Sequence, residues 1–264
     1  MLKRSSVLWI ISVVLTLIFV VYQKKTGPTY PVKGEQEITS SLVTYKFYRS
    51  YDIGEEVPIK VSTDNPNLLA YFTHKRLKSD DNWSEQIPMN YEDGSFIGHL
   101  PTLDEMAGKR VYKVFLNGKS LTEKPIIIRF KGSVPAYILI PHILFMFIAM
   151  LVSTRAGLEV LFRNISTYKL TLVTTISLLL GGIILGPIVQ KFAFDAYWTG
   201  WPWGHDLTDN KTLVAMIMWA IALWKVRKNP SNRLWVLIAF IVLTLVYMIP
   251  HSVLGSEFDY TQIN

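Results

Sequence analysis

The sequence predicts an α-helical polytopic membrane protein of about five transmembrane helices with an all-β domain inserted after the first, judged from apolar runs, basic loops and turn residues. Half of the 264 residues are hydrophobic, more than a water-soluble domain of this size needs. They gather at the start and in the last half of the chain, leaving residues 27–133 with the polar mixture of a soluble fold. Much of the net charge of +7 lies in short loops beside the apolar runs.

The first run, residues 7–22, follows Lys3 and Arg4. Its length is one at which a signal-peptide core and a short span overlap. No small-x-small cleavage site follows, and the chain continues Gln23, Lys24, Lys25, Thr26. Residues 1–26 therefore read as an uncleaved anchor with its N-terminus inside. Four further runs cover residues 134–152, 170–189, 212–224 and 234–249. The run at 212–224 is the shortest, its ends blurred by Lys211 and Lys225. Alternating the spans places Arg155, Arg163, Lys169, Lys225, Arg227, Lys228 and Arg233 on the side of the N-terminus, as retention of positive loops requires. The reverse topology would export the most basic short loop, 225–233, and keep Glu257 and Asp259 of the acidic tail, residues 253–264, inside. The N-terminus is thus read as cytoplasmic, with the inserted domain and the C-terminus extracytoplasmic.

Within the insert, residues 42–48, 57–61, 68–74, 110–116 and 125–130 are rich in β-branched and aromatic side chains. They are broken by Asp64-Asn65-Pro66, Glu92-Asp93-Gly94 and Asn117-Gly118, which are turn signals at sandwich-like spacing. About 100 residues suffice for one immunoglobulin-like or fibronectin-like sandwich. His74 and His99 stand isolated and the acids scatter through turns, so the domain reads as a spacer or a surface docking an extracytoplasmic protein partner.

The absence of cysteine excludes disulfides, thiolate metal sites, a thiol nucleophile and the CxxCH attachment of haem. The basic excess sits where it orients the chain against an anionic bilayer rather than where it would track nucleic acid. No phosphate loop, nucleophile elbow or dinucleotide fingerprint is present. Acids within the runs are nearly absent, which argues against an ion pump or proton relay. The reading leans away from an enzyme and names no catalytic residue.

The remaining signal is the outer loop 191–211, between the third and fourth runs. It holds Trp198, Trp201, Trp203, Tyr197, Phe192, Phe194, Gly200, Gly204, Pro202, His205, Asp195, Asp206 and Asp209 before Lys211. An aromatic belt at headgroup level explains Trp and Tyr at any membrane boundary. Belt residues need no order, however, and this density of Gly, Pro, His and Asp exceeds what lipid anchoring alone explains and points to a fixed backbone presenting indoles to a flat ligand or a partner. His142, in Ile140-Pro141-His142, and His251, in Ile249-Pro250-His251, are placed at the same outer face as His205. Two histidines flanking a tryptophan shelf form a coherent bis-histidine site for haem iron, against the plainer role of interfacial packing residues. His205, Asp206 and Asp209 also allow a hydrolytic metal site, without any zinc-type spacing. For Asp206 and Asp209 the simpler role is capping of the following helix.

On these residues the chain resembles the membrane haem-handling proteins of cytochrome c maturation. Those carry an outward loop of the form Trp-Gly-x-x-Trp-x-Trp-Asp-Pro-Lys-Glu, then a helix with Ala, Ile and Trp, with one outer histidine before the loop and one after. Asp209-Asn210-Lys211, Ala215, Ile217 and Trp219 fall at the matching spacing, and His142 and His251-Ser252 match the two histidine segments. The resemblance covers residues 134–252. It departs where Gly204 to Thr208 separate Trp203 from Asp209, where Asn210 replaces proline and Thr212 glutamate, and in the lack of a sixth span after His251. It implies a bacterial cytoplasmic (inner) membrane and haem b as cofactor. It further implies His142 and His251 as axial ligands, Trp198, Trp201 and Trp203 against the porphyrin, and Lys211 against a propionate. The alternative is a non-catalytic accessory subunit of a membrane complex whose β domain docks a partner.

Overall fold

The computed structural model describes residues 4–163, 166–250 and 258–262. The chain forms two compact units, a helical one of Met1–Pro28 with Val134–Gly255 and a β unit of Thr29–Ser133 with Ser256–Asn264. His251, Ser252 and Glu257 lie outside the described residues.

The helical unit opens with α1 (Arg4–Thr26) and continues with α2 (Ala136–Phe162). A third rod, Tyr168–Phe194, is built from α3 (Tyr168–Leu178), a π-helical stretch (Leu179–Leu185) and α4 (Gly186–Phe194). These three rods, of 23, 27 and 27 residues, are long and apolar enough to cross a membrane. Helix α5 (Leu207–Lys228) has 22 residues but carries charge in both end turns. Helix α6 (Leu234–Met248) is apolar and has 15 residues, about 22 Å at 1.5 Å per residue. The chain is a membrane protein by its apolar rods, with a separate β-sheet domain.

All of these helices except α1 and α4 supply the buried core: Ala149, Met150 and Ala156 of α2, Leu178 of α3, Ala215, Trp219 and Ala222 of α5, and Val236, Ala239 and Leu243 of α6. Small residues let backbones approach, which is how helices pack where no water drives association. A Cβ on Gly181 would stand 3.1 Å from Met146 N, and one on Gly182 2.7 Å from Thr212 Cγ2. The sequence reading stops the second span at residue 152, whereas α2 runs on through Arg155 and Glu159 to Phe162. Both side chains are buried, so α2 carries one buried carboxylate, Glu159, beyond the expected end of the span. The i,i+4 spacing pairs the two charges on one face, and that mutual neutralisation lets the helix continue.

The β unit contains two sheets. One joins β1 (Val32–Ile38), β2 (Ser41–Phe47), β4 (Val57–Ser62), β8 (Ser95–Leu100) and β7 (Asn90–Glu92) in the order β1-β2-β4-β8-β7. The other runs β3 (Ser50–Asp52), β11 (Ile126–Lys131), β9 (Lys109–Leu116), β5 (Ala70–Arg76) and β6 (Ile87–Pro88), with β10 (Lys119–Ser120) paired to β9. Alternation in β4 buries Val57, Ile59 and Val61, which join Phe47, Phe96, Phe72, Tyr112, Leu116, Ile128 and Phe130 of both sheets in one core. Asp93-Gly94 and Asn117-Gly118 are two-residue hairpin turns with positive φ at both positions. The 253–264 tail of the sequence reading also contributes structure here. Tyr260 is buried in the β core, with its ring 4.7 Å from the Arg76 guanidinium and its hydroxyl donating to Glu105 Oε2 at 3.1 Å. Gly108 leaves the necessary space, since a Cβ there would lie 2.6 Å from the Tyr260 hydroxyl.

Candidate functional site

Helix α4 ends where Asp195 turns left-handed at φ 61°, a conformation that the short carboxylate side chain tolerates. Its N–H donates to Lys191 O at 3.0 Å and its Oδ1 takes Lys191 Nζ at 2.6 Å. At the far end of the loop Asp206 is the N-cap of α5, its Oδ1 accepting the N–H groups of Thr208 at 2.7 Å and Asp209 at 3.4 Å. The capping role expected of one of these aspartates thus falls to Asp206.

Thr199 ties the two ends together. Its N–H donates to Asp209 Oδ2 at 2.7 Å, and its carbonyl accepts the Asp206 N–H at 3.0 Å. Its hydroxyl accepts from Gln190 Nε2 at 2.7 Å and stands 3.3 Å from both Asp206 Oδ2 and Asp209 Oδ2. Beyond it, the Trp201 N–H donates to Asn210 Oδ1 at 2.6 Å, while the Trp203 and Gly204 N–H groups fold back on Gly200 O at 3.0 and 2.9 Å. Gly200 has no substitute here, because a Cβ would come within 2.6 Å of Asp209 Cβ and 2.8 Å of Asn210 Oδ1.

The polar groups therefore bind the loop to itself and to the start of α5, and the rings face outward. Trp201 and Trp203 are 68% and 80% exposed, and His205 is exposed. Trp198 is half-buried, its indole N–H donating to Trp201 O at 3.1 Å. Asp206 and Asp209 are buried and committed to these bonds. Among the described residues no three His, Asp or Glu side chains are arranged to hold a metal ion.

Lys211 is buried, and its Nζ donates to Ile249 O at 2.8 Å. Gln23 Nε2 donates to the same oxygen at 3.1 Å. Ile249 caps the C-terminus of α6, where carbonyls lack helical partners and favour a cation. The ends of α1 and α6 and the start of α5 thus meet at one point, two residues before His251. The position of His251 itself is outside the described residues.

His142, in the second turn of α2, lies with Nδ1 2.9 Å from Gly181 O. A carbonyl can only accept, so Nδ1 carries the proton and Nε2 keeps the lone pair. Gly181 O also receives the Gly186 N–H from five residues on, within the π-helical stretch, a distortion frequent at functional sites. The next residue, Gly182, packs against Thr212. His142, the Lys211–Thr212 base of the Trp loop and the chain leading to His251 consequently share one end of the helical unit. The sequence reading singles out the rings, carboxylates and histidines but misses Thr199, Gln190, Asn210 and Gly181. A detectable signal existed only for Asn210, an Asx residue in a first helical turn and able to bond an upstream N–H.

Comparison with protein-family models, with curated proteins and with solved structures found no match.

Proposed function

We propose that the chain is a bacterial inner-membrane haem-handling protein that holds haem b at its outer face, between His142 and His251 and against the Trp loop. The observation that carries the reading is the His142–Gly181 hydrogen bond. A backbone carbonyl on Nδ1 fixes the tautomer, orients the ring and raises the basicity of Nε2, the arrangement found around metal-bound histidines. Haem would supply a one-electron couple and an axial coordination demand that imidazole meets. The chain's own residues would do the rest. Trp201 and Trp203 offer indole faces that displace water, Asp206 and Asp209 hold the loop backbone that carries them, and Lys211 tethers the residue before Pro250-His251.

The accompanying topology has five spans, an N-terminus inside, and an immunoglobulin-like or fibronectin-like domain outside. It is supported by the sharing of one core among α2, α3, α5 and α6 and by the two-sheet β unit. The 15 residues of α6 fall short of a hydrocarbon layer of about 30 Å, and local thinning of the bilayer or the non-helical Ile249 and Pro250 would help make up the difference.

A visible spectrum of the detergent-purified chain, recorded with and without added haem, tests the reading. A Soret band that weakens in His142→Ala or His251→Ala supports it, and a flat trace under both conditions rejects it. The second reading, an accessory subunit whose β domain and Trp loop dock a protein partner, is favoured by the exposure of Trp201 and Trp203, since tryptophan dominates many interfaces. It expects no pigment, and loss of a copurifying partner on deletion of residues 30–132.

A further inference from the structure

The far end of α2 carries charge into apolar surroundings. The side chains of Arg155 and Glu159 are 4% and 1% exposed and form an ion pair, and Arg163 Nη1 stands 3.4 Å from the second Glu159 oxygen. Arg155 Nη2 also reaches Ser5 Oγ at 3.3 Å, its guanidinium lies 5.4 Å from the Trp9 ring, and its Nε is buried without a hydrogen-bond acceptor. Arg233, immediately before α6, donates Nη1 to Arg163 O at 2.8 Å. Two guanidinium groups thus share one carboxylate and a third sits on the neighbouring Arg163 carbonyl, an excess of two positive charges (three minus one). The amino-terminal end of α6, itself electropositive, begins at the same place.

Basic residues that only set orientation need to lie beside a span. They need neither a buried Arg–Glu pair nor a guanidinium bonded to a helix-terminal carbonyl. Unbalanced charge next to a low-dielectric interior is costly, and guanidinium groups meet an oxyanion through paired, charge-assisted N–H bonds. Beside the charges, Leu161, Phe162 and Leu234 are 55%, 50% and 64% exposed. Cations flanked by bare apolar side chains match a molecule that has an anionic head and hydrocarbon chains.

We propose that Arg163 and Arg233 form a binding site for the phosphate of an anionic phospholipid, with Arg155 holding the Glu159 carboxylate behind them and the acyl chains along Leu161, Phe162 and Leu234. The site uses the membrane location of the helices and makes no use of haem, so a failed haem spectrum would leave it standing.

The test is thermal unfolding of the full-length chain in detergent with phosphatidylglycerol, phosphatidylcholine or inorganic phosphate added separately. Phosphatidylglycerol is expected to raise the midpoint saturably, as any ligand of the native state does, and the other two to leave it in place. Arg163→Gln and Arg233→Gln are each expected to raise the half-saturating phosphatidylglycerol concentration about tenfold or more, the loss of one charge-assisted contact. Lys228→Gln removes the same charge from the exposed end of α5 and is expected to respond like the parent. Equal shifts with phosphatidylcholine would overturn the proposal, as would an equal shift with inorganic phosphate alone. So would an unchanged phosphatidylglycerol response in both arginine variants.

Discussion

Replacing Asp209 by alanine removes one of the two α5 side-chain acceptors, with Asn210, that anchor the Trp loop. The carboxylate takes the Thr199 N–H at 2.7 Å and stands 3.3 Å from the Thr199 hydroxyl. A hydrogen bond to a charged acceptor contributes about 1.5–3 kcal/mol, which corresponds to about a 10- to 150-fold rise in the equilibrium for loop opening at 1.4 kcal/mol per decade. The loss is local, because Asp206 still caps α5 through the Thr208 and Asp209 N–H groups. Amide hydrogen exchange in detergent reads such local opening directly. The N–H groups of Thr199, Trp203, Gly204 and Asp206 are expected to exchange faster by that factor, while the strands of the β unit keep their protection. Asp209→Asn retains one acceptor oxygen and is expected to fall between parent and alanine. Unchanged exchange at these four amides would refute the clamp and, with it, the assignment of Asp209 to holding the loop.

Three further outcomes follow from the geometry. Gly200→Ala forces a Cβ against Asp209 Cβ and Asn210 Oδ1 and is expected to cost about 1–3 kcal/mol of loop stability as overpacking, seen as proteolytic cleavage near Trp201 at protease levels the parent resists. Tyr260→Ala empties the place of a side chain 7% exposed and is expected to destabilise the β unit by about 3 kcal/mol, measured as a lower denaturant midpoint of the β-sheet circular dichroism signal. Burial, reinforced by the nearby Arg110 charge, lowers the pKa of His74 to about 4. The unfolded chain then binds the extra proton between pH 6.5 and about 4, so β-unit stability from this group is full above 6.5 and is lost as pH falls towards 4. His74→Asn is expected to flatten that decline, and parallel pH profiles for the two proteins would contradict it.

What was legible in the sequence followed from strong periodicity and strong local chemistry. The apolar runs at 7–22 and 234–249 became α1 and α6, since a helix satisfies the backbone groups of an apolar segment within the segment itself. The hairpins at Asp93-Gly94 and Asn117-Gly118 formed where residues tolerant of positive φ stand. Strand β1, in contrast, reads Val-Lys-Gly-Glu-Gln-Glu-Ile and shows no apolar alternation, since it lies at a sheet edge and owes its place to pairing with β2. The continuation of α2 to Phe162 was not legible at Arg155 and Glu159, whose charges look like a loop until a helix puts them one turn apart. In the site, the rings and the Asp206 cap were readable, while Thr199 and Gly181 were not. Thr199 acts through its backbone and hydroxyl on residues up to ten positions away, and Gly181 contributes a carbonyl that no side-chain pattern announces. Lys211, which the family resemblance sets against a propionate, is bonded to Ile249 O, a partner 38 residues distant that only folding could supply.

The central claim is that His142 Nε2 is a ligand-ready nitrogen held in place by Gly181. Its most direct test is electron paramagnetic resonance and visible spectroscopy of the ferric haem-loaded chain beside His142→Ala, with His205→Ala, an exposed histidine of the Trp loop, as the control. Two imidazole ligands give low-spin iron. The parent and His205→Ala are expected to show that low-spin signature, and His142→Ala to convert to high spin. Superimposable spectra of the parent and His142→Ala would contradict the claim.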